Sequence, residues 1–160
     1  PCVYGFSQTH LSGTGCPDLA DVRLLPFSDD FADANPYNWK LAKDFRTEKG
    51  RPGLYTVALT NAQSKVDVEL TATPHVGVHR YTYAPGRPVK LLVDLQWGLA
   101  DRREYDTRVR ACAVRQTPDG FEGSLSVRRW GERNVHFVLR FSPAPTAVER
   151  LPSRCLRLPA

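Results

Sequence analysis

The sequence predicts an all-β fold: an antiparallel β-sandwich with one long connection containing a short helix. Three observations lead there. From Gly53 onward apolar and polar residues alternate with a period of two, which sets one face of an extended strand on a core and the other toward water. Clusters of turn-forming residues interrupt that alternation at short intervals. About eight strands spaced so closely fit an antiparallel sandwich and leave no room for the helical crossovers of a parallel sheet.

Taken in order, Tyr55, Val57 and Leu59 share one face of the first clear strand. Val66, Val68, Leu70 and Ala72 share another, with Asp67, Glu69 and Thr71 opposite. The pattern returns at Val89, Leu91, Val93 and Leu95, and again at Val135, Phe137, Leu139 and Phe141. It is weaker over 109–114 and 125–130. The predicted turns are Asn61-Ala62-Gln63-Ser64, Ala84-Pro85-Gly86-Arg87-Pro88, Pro118-Asp119-Gly120 and Gly131-Glu132-Arg133-Asn134. Residues 28–52 read as a long polar surface connection opened by Asp29, Asp30, Asp33, Asn35 and Pro36. Within it Trp39, Ala42 and Phe45 fall on one face of one or two helical turns, and Arg46 to Pro52 form a charged turn. Residues 1–145 are assigned to the sandwich domain. Residues 146–160 continue a proline-containing tail and are assigned to a linker or edge segment.

A chain of 160 residues with 41% apolar and 24% charged residues has the composition of one folded domain. No run of about 18 apolar residues is present to cross a membrane as a helix. The chain opens at Pro1 without a leader-like segment, so either a leader has been removed or the chain is a piece of a longer polypeptide. The net charge of +5 is carried almost wholly by arginine. Because Arg102, Arg103, Arg108, Arg110, Arg128, Arg129 and Arg140 mostly alternate with apolar residues, they read as the wet faces of strands, and no nucleic-acid partner is expected. Cys2, Cys16, Cys112 and Cys155 allow three pairings and form no CxxC unit. A clasp between Cys2 and Cys155 and bare core thiols both remain open.

One stretch departs from the strand pattern. Residues 5–19 place Ser7, Gln8, Thr9, His10, Ser12, Thr14 and Asp18 around Gly5, Gly13 and Gly15, ahead of the apolar run Val22 to Leu25. Gly13 and Gly15 permit sharp bends or close approach, so the stretch reads as a loop presenting polar groups; a hydrogen-bonded turn explains the same composition. Three known loop chemistries fail on spacing. Cys16-Pro17 follows the last glycine where a phosphate-binding loop needs Lys and Ser or Thr, no helix start supports a dinucleotide fingerprint, and Ser12 lacks the flanking glycines of a nucleophile elbow.

Other candidates are weaker. His75 and His79 are four apart, but Pro74 and Gly77 favour a strand, on which they stand about 13 Å from one another, too far for one ion. Asp18 and Asp21 are conceivable calcium ligands, yet the spacing is not that of an EF-hand, and Asp18 reads better as a turn cap. No carboxylate pair for glycoside cleavage stands out. Trp39, Trp97 and Trp130 lie near loops; each is assigned to the core, with Trp97 the first choice for a ligand contact.

The run from Phe6 to Asp21, with its His10-Leu11-Ser12-Gly13-Thr14-Gly15 centre, resembles the signature of the amino-terminal domain of glycoside hydrolase family 92, the calcium-dependent exo-α-mannosidases. Residues 52–57, 69–73, 76–83 and 135–141 follow in the family's order, so the resemblance covers nearly the whole chain. One position departs: the family carries His where this chain has Gln8.

The resemblance implies that this sandwich packs on a helical catalytic domain of the same polypeptide and lends its loop to the rim of a sugar pocket. Ser7, Gln8, Thr9, His10, Ser12 and Gly13, together with Leu11 and Thr14, would form that rim, with Trp97 as an aromatic neighbour. The general acid, the base and the calcium ligands would lie in the catalytic domain. This chain would then hold no catalytic residue, metal or cofactor and would be inactive alone. The implied partner is a mannose-containing glycan and the implied location periplasmic or secreted. Two rival readings are a free-standing carbohydrate-binding module and a basic interaction domain for anionic polymers.

Overall fold

The computed structural model describes residues 1–9, 18–61, 64–99 and 108–151. They form ten strands, β1 (Cys2–Val3), β2 (Arg23–Phe27), β3 (Leu41–Arg51), β4 (Leu54–Asn61), β5 (Ser64–Ala72), β6 (Gly77–Tyr83), β7 (Lys90–Asp94), β8 (Val109–Thr117), β9 (Gly120–Arg128) and β10 (Glu132–Arg140). All pairing is antiparallel, so the all-β expectation holds. The chain divides into two compact units, one of Pro1–Gln8 and Arg23–Asp94, the other of Thr9–Val22 and Leu95–Ala160.

The first unit contains a five-stranded sheet in the order β1-β3-β4-β5-β6 and the two-stranded pair β2-β7. The apolar rows seen in the sequence meet in register: Tyr55, Val57 and Leu59 of β4 stand opposite Leu70, Val68 and Val66 of β5. Those rows supply buried Val57, Leu59, Val66 and Val68, and β2 and β7 add Leu24, Leu25 and Leu92. Cross-strand pairs of this kind stabilise a sheet by a few tenths to about 1 kcal/mol each. The β3–β4 hairpin turns at Pro52-Gly53, where proline sets the first corner and Gly53 takes the φ of +79° demanded by the second.

Two expectations for residues 28–52 fail. The helical turns over Trp39–Phe45 are replaced by a single 3-10 turn at Pro36–Asn38, and the charged turn Arg46–Pro52 lies mostly within β3. Asn35 caps the 3-10 turn by accepting the Tyr37 amide, but Trp39 is already extended, at φ −69° and ψ 125°. An isolated turn of helix has too few hydrogen bonds to offset its nucleation cost, whereas β3 gains ladders to β1 and β4. The ladder with β4 is broken between Asp44 and Lys49. There Thr47 donates its hydroxyl to the Asp44 carbonyl and accepts the Ala58 amide at 2.8 Å, while Phe45 projects outward.

Arg23 organises the rest of this unit. It pairs across the strands with Asp94 at 2.7 Å and also donates to the carbonyls of Pro36 and Tyr4. Gly5 makes that possible, because a Cβ there would lie 2.6 Å from Arg23 Cγ. Trp39 stacks on Phe31 at 4.7 Å and meets Phe27 edge-on.

The second unit contains a three-stranded meander, β8-β9-β10. Its core is Leu125 and Val127, against which Val22, Leu95, Val109, Cys112, Val135 and Phe137 pack. The β8–β9 hairpin turns at Pro118-Asp119, as the sequence suggests, with Thr117 opposite Gly120. Gly120 has no room for a side chain, since a Cβ would sit 2.0 Å from the Leu139 carbonyl oxygen.

Candidate functional site

His10, Ser12 and Gly13, with Leu11 and Thr14, lie outside the described residues. Ser7, Gln8, Thr9 and Trp97 are described, and each unit shows what holds its share of them.

In the first unit the side-chain amide of Gln8 hydrogen-bonds the His79 ring at Nε2, and His79 Nδ1 meets the Tyr81 hydroxyl at 2.7 Å. Both rings stand on β6, in register with Leu70 and Val68 of β5. Phe6 packs against both, edge-on to His79 and nearly parallel to Tyr81. Burial drives the His79 pKa below its ordinary value, so the ring is neutral at physiological pH. Burial, helped by Tyr83, drives the Tyr81 phenol up. Gln8 lies directly over Gly77, where any side chain would collide with the glutamine amide. Ser7 is half-buried beside it. His79 is therefore an anchor for Gln8, while His75 sits in the β5–β6 turn, with its backbone amide on Thr73.

In the second unit the two ends of segment 10–17 are tied together. The Thr9 carbonyl accepts the Ala20 amide at 2.9 Å, and the Thr9 hydroxyl both accepts the Asp21 amide at 2.7 Å and donates to its carboxylate at 3.1 Å. Asp21 in turn pairs with Arg108, whose other terminal nitrogen donates to the Trp97 carbonyl at 2.6 Å. Thr9 and Trp97 are thus joined through one carboxylate and one guanidinium. Arg133 of β10 donates to Asp18 at 3.1 and 3.2 Å and to Asp21 at 3.2 and 3.3 Å. Asp18 also accepts the Leu19 amide at 2.7 Å, the cap expected of it.

Asp18, Asp21 and Arg108 are buried, so the charges are desolvated and must neutralise one another. Burial first, and then the neighbouring Arg133, lower the Arg108 pKa to about 10, which leaves it fully charged at neutral pH. Gly98 yields the space that Arg108 fills. Among the described residues, Arg108 and Arg133 face the carboxylates of Asp18 and Asp21. Their oxygens are turned to arginine.

The backbone between these anchors is strained. Leu19, Ala20 and Val22 have φ of 68°, 61° and 56°, in the left-handed region that costs an ordinary residue about 1–2 kcal/mol. Val22 is branched at Cβ, which makes the position harder still. Strain of this kind persists where surrounding contacts over-determine it, and functional sites are where it gathers.

Arg108 and Arg133 escaped sequence reading. Arg108 belongs to the arginines assigned to wet strand faces, yet it is 2% exposed, because Asp21 supplies the counter-charge. Arg133 was expected in a turn and lies in β10. The core assignment also fails for Trp130, which is 70% exposed at the β9–β10 turn. Trp39 and Trp97 are half-buried. Among the described residues, no group of three or more His, Cys, Asp or Glu side chains is placed to hold a metal.

The model of the glycosyl hydrolase family 92 N-terminal domain matches residues 1–154. The chain belongs to this family. Among solved structures, the family 92 glycosyl hydrolase CcMan5 shares the fold of this family 92 domain, with a TM-score of 0.66 at 21% identity. The similarity covers 84% of this chain but 19% of that one, so the domain spans about a fifth of that enzyme's length. No curated protein matches the domain.

Proposed function

We propose that this family 92 domain packs on a helical catalytic domain of the same polypeptide and contributes rim residues to a pocket for α-mannosides. One observation carries the reading. The residues flanking segment 10–17 are held by a buried cluster of ion pairs and a strained backbone, a costly arrangement for a plain surface turn. It is what a loop needs if its polar groups are to meet a ligand in a fixed geometry. On this reading Ser7, Gln8, His10, Ser12 and Gly13 face the sugar. Thr9 and Trp97 brace the second unit's share of the rim through Asp21 and Arg108. Hydrolysis and its calcium ion belong to the catalytic domain, since Asp18 and Asp21 are already compensated by arginine. A glycan substrate of this kind fits a periplasmic or secreted enzyme.

The test replaces His10 with Ala in the full-length enzyme and follows aryl α-mannoside hydrolysis. A rise in KM of about tenfold or more at unchanged thermal stability is expected. Unchanged kinetics would remove His10 from the rim. The purified domain alone is expected to be inactive, and hydrolysis by it would overturn the division of labour.

A further inference from the structure

An indole left 70% exposed at a hairpin turn is unusual, because it holds a large apolar area in water. The turn that carries Trp130 is also firmly placed. On one side, the Arg129 guanidinium donates to the Leu99 carbonyl, and the Leu99 amide donates to the Leu19 carbonyl at 3.0 Å. On the other, Arg133 reaches Asp18 and Asp21. The Arg129 amide closes the turn on the Gly131 carbonyl at 3.2 Å, and the position of the missing Gly131 side chain is open space. Trp130 therefore stands on a rigid support beside the strained segment Leu19–Val22. Arg128 and Glu132, both exposed and 3.7 Å apart, flank it with charged hydrogen-bonding groups.

We propose that Trp130 is a saccharide-stacking residue, its indole face receiving the C–H face of a pyranose ring of the glycan. The proposal rests on the saccharide reading above and adds to it a contact outside the segment 7–14. A pyranose offers one face of axial and ring C–H bonds and an edge of hydroxyls. A flat aromatic plate takes the first, and planar charged side chains at its margin take the second. Arg128 and Glu132, on either side of Trp130 in the hairpin, supply such groups. A plate of this kind favours a glycan longer than one sugar, because the ring it binds adds to whatever the rim holds.

The experiment uses the full-length enzyme with Trp130→Ala and Trp130→Phe. Tryptophan emission is titrated with α-linked mannotriose, and kcat and KM are measured on an aryl α-mannoside and on the trisaccharide. Expected are a saccharide-dependent emission change that both variants lose, and a KM for the trisaccharide raised about tenfold in Trp130→Ala. Phe should retain most of the affinity. The aryl substrate should change less than threefold. Equal kinetics of Trp130→Ala and wild type on the trisaccharide would overturn the proposal. So would a Trp130 emission already that of a buried indole without sugar, which would assign the residue to packing on another domain. Should the wild type neither bind nor cleave mannosides, the mannoside reading fails. The same titration with gluco- and galacto-configured oligosaccharides then decides Trp130: a change dependent on it retains the stacking role, and none removes it.

Discussion

The guanidinium of Arg108 and the carboxylate of Asp21 form an ion pair whose side chains are 1% and 0% exposed. Removing one member of such a pair leaves its partner buried and uncompensated, at a cost of about 3–5 kcal/mol. Arg108→Ala is therefore expected to lower the unfolding free energy by about that amount in urea titration. Asp21→Ala with Arg108→Ala should cost less than the sum of the two single changes. Full additivity would show that the two groups do not depend on one another.

Ala20 is buried and has a φ of 61°, so two effects oppose each other when it becomes glycine. The left-handed backbone is relieved by about 1–2 kcal/mol, and one buried methyl worth about 0.8 kcal/mol is lost along with chain entropy. Ala20→Gly is expected to fall within about 1 kcal/mol of wild type in either direction, the two effects nearly cancelling. A loss above about 1.5 kcal/mol in denaturant unfolding would show that the backbone there is not strained.

The depressed pKa of His79 has a definite sign in stability. With a folded pKa below the ordinary 6.5, the unfolded chain takes up a proton before the folded one does. Stability from this group is intact above about pH 6.5 and falls as pH drops toward the folded value, below which it levels off. His79→Gln should flatten that part of the profile, read as urea midpoints at pH 7.5 and 5.0. An unchanged slope would place the titration elsewhere.

Trp39 and Trp130 should separate by stability. Trp39 stacks on Phe31 and meets Phe27, so Trp39→Ala should cost about 3 kcal/mol. Trp130 is 70% exposed, and its replacement by Ala should fall within about 0.5 kcal/mol of wild type by thermal unfolding of the domain. A large loss at Trp130 would mean that the indole supports the fold.

What was legible in the sequence follows from the physics of each signal. The rows Val57/Leu59 and Val66/Val68 were visible because burial of one strand face imposes a period of two, and the register bears them out. The turn at Pro118-Asp119 was visible because proline fixes a corner. Residues 39–51 misled because Trp39, Ala42 and Phe45 match a helical spacing, while the decisive term was a long-range ladder with β4. The arginine anchors were illegible for the same reason. A side chain that alternates with apolar neighbours looks solvated until a carboxylate 87 positions away is known to meet it, as Asp21 meets Arg108.

The division of the chain also bears on its biogenesis. Thr9–Val22 is synthesised between two stretches of the first unit, yet its anchoring strand β10 comes last, with Arg133 following Asp21 by 112 positions. On a ribosome Asp21 stays hydrated until Arg108 has emerged, and Asp18 until Arg133 has. Any protein ending near Asp94 would carry that pair without Arg108 and Arg133, so the first unit cannot be isolated simply by stopping the chain after β7.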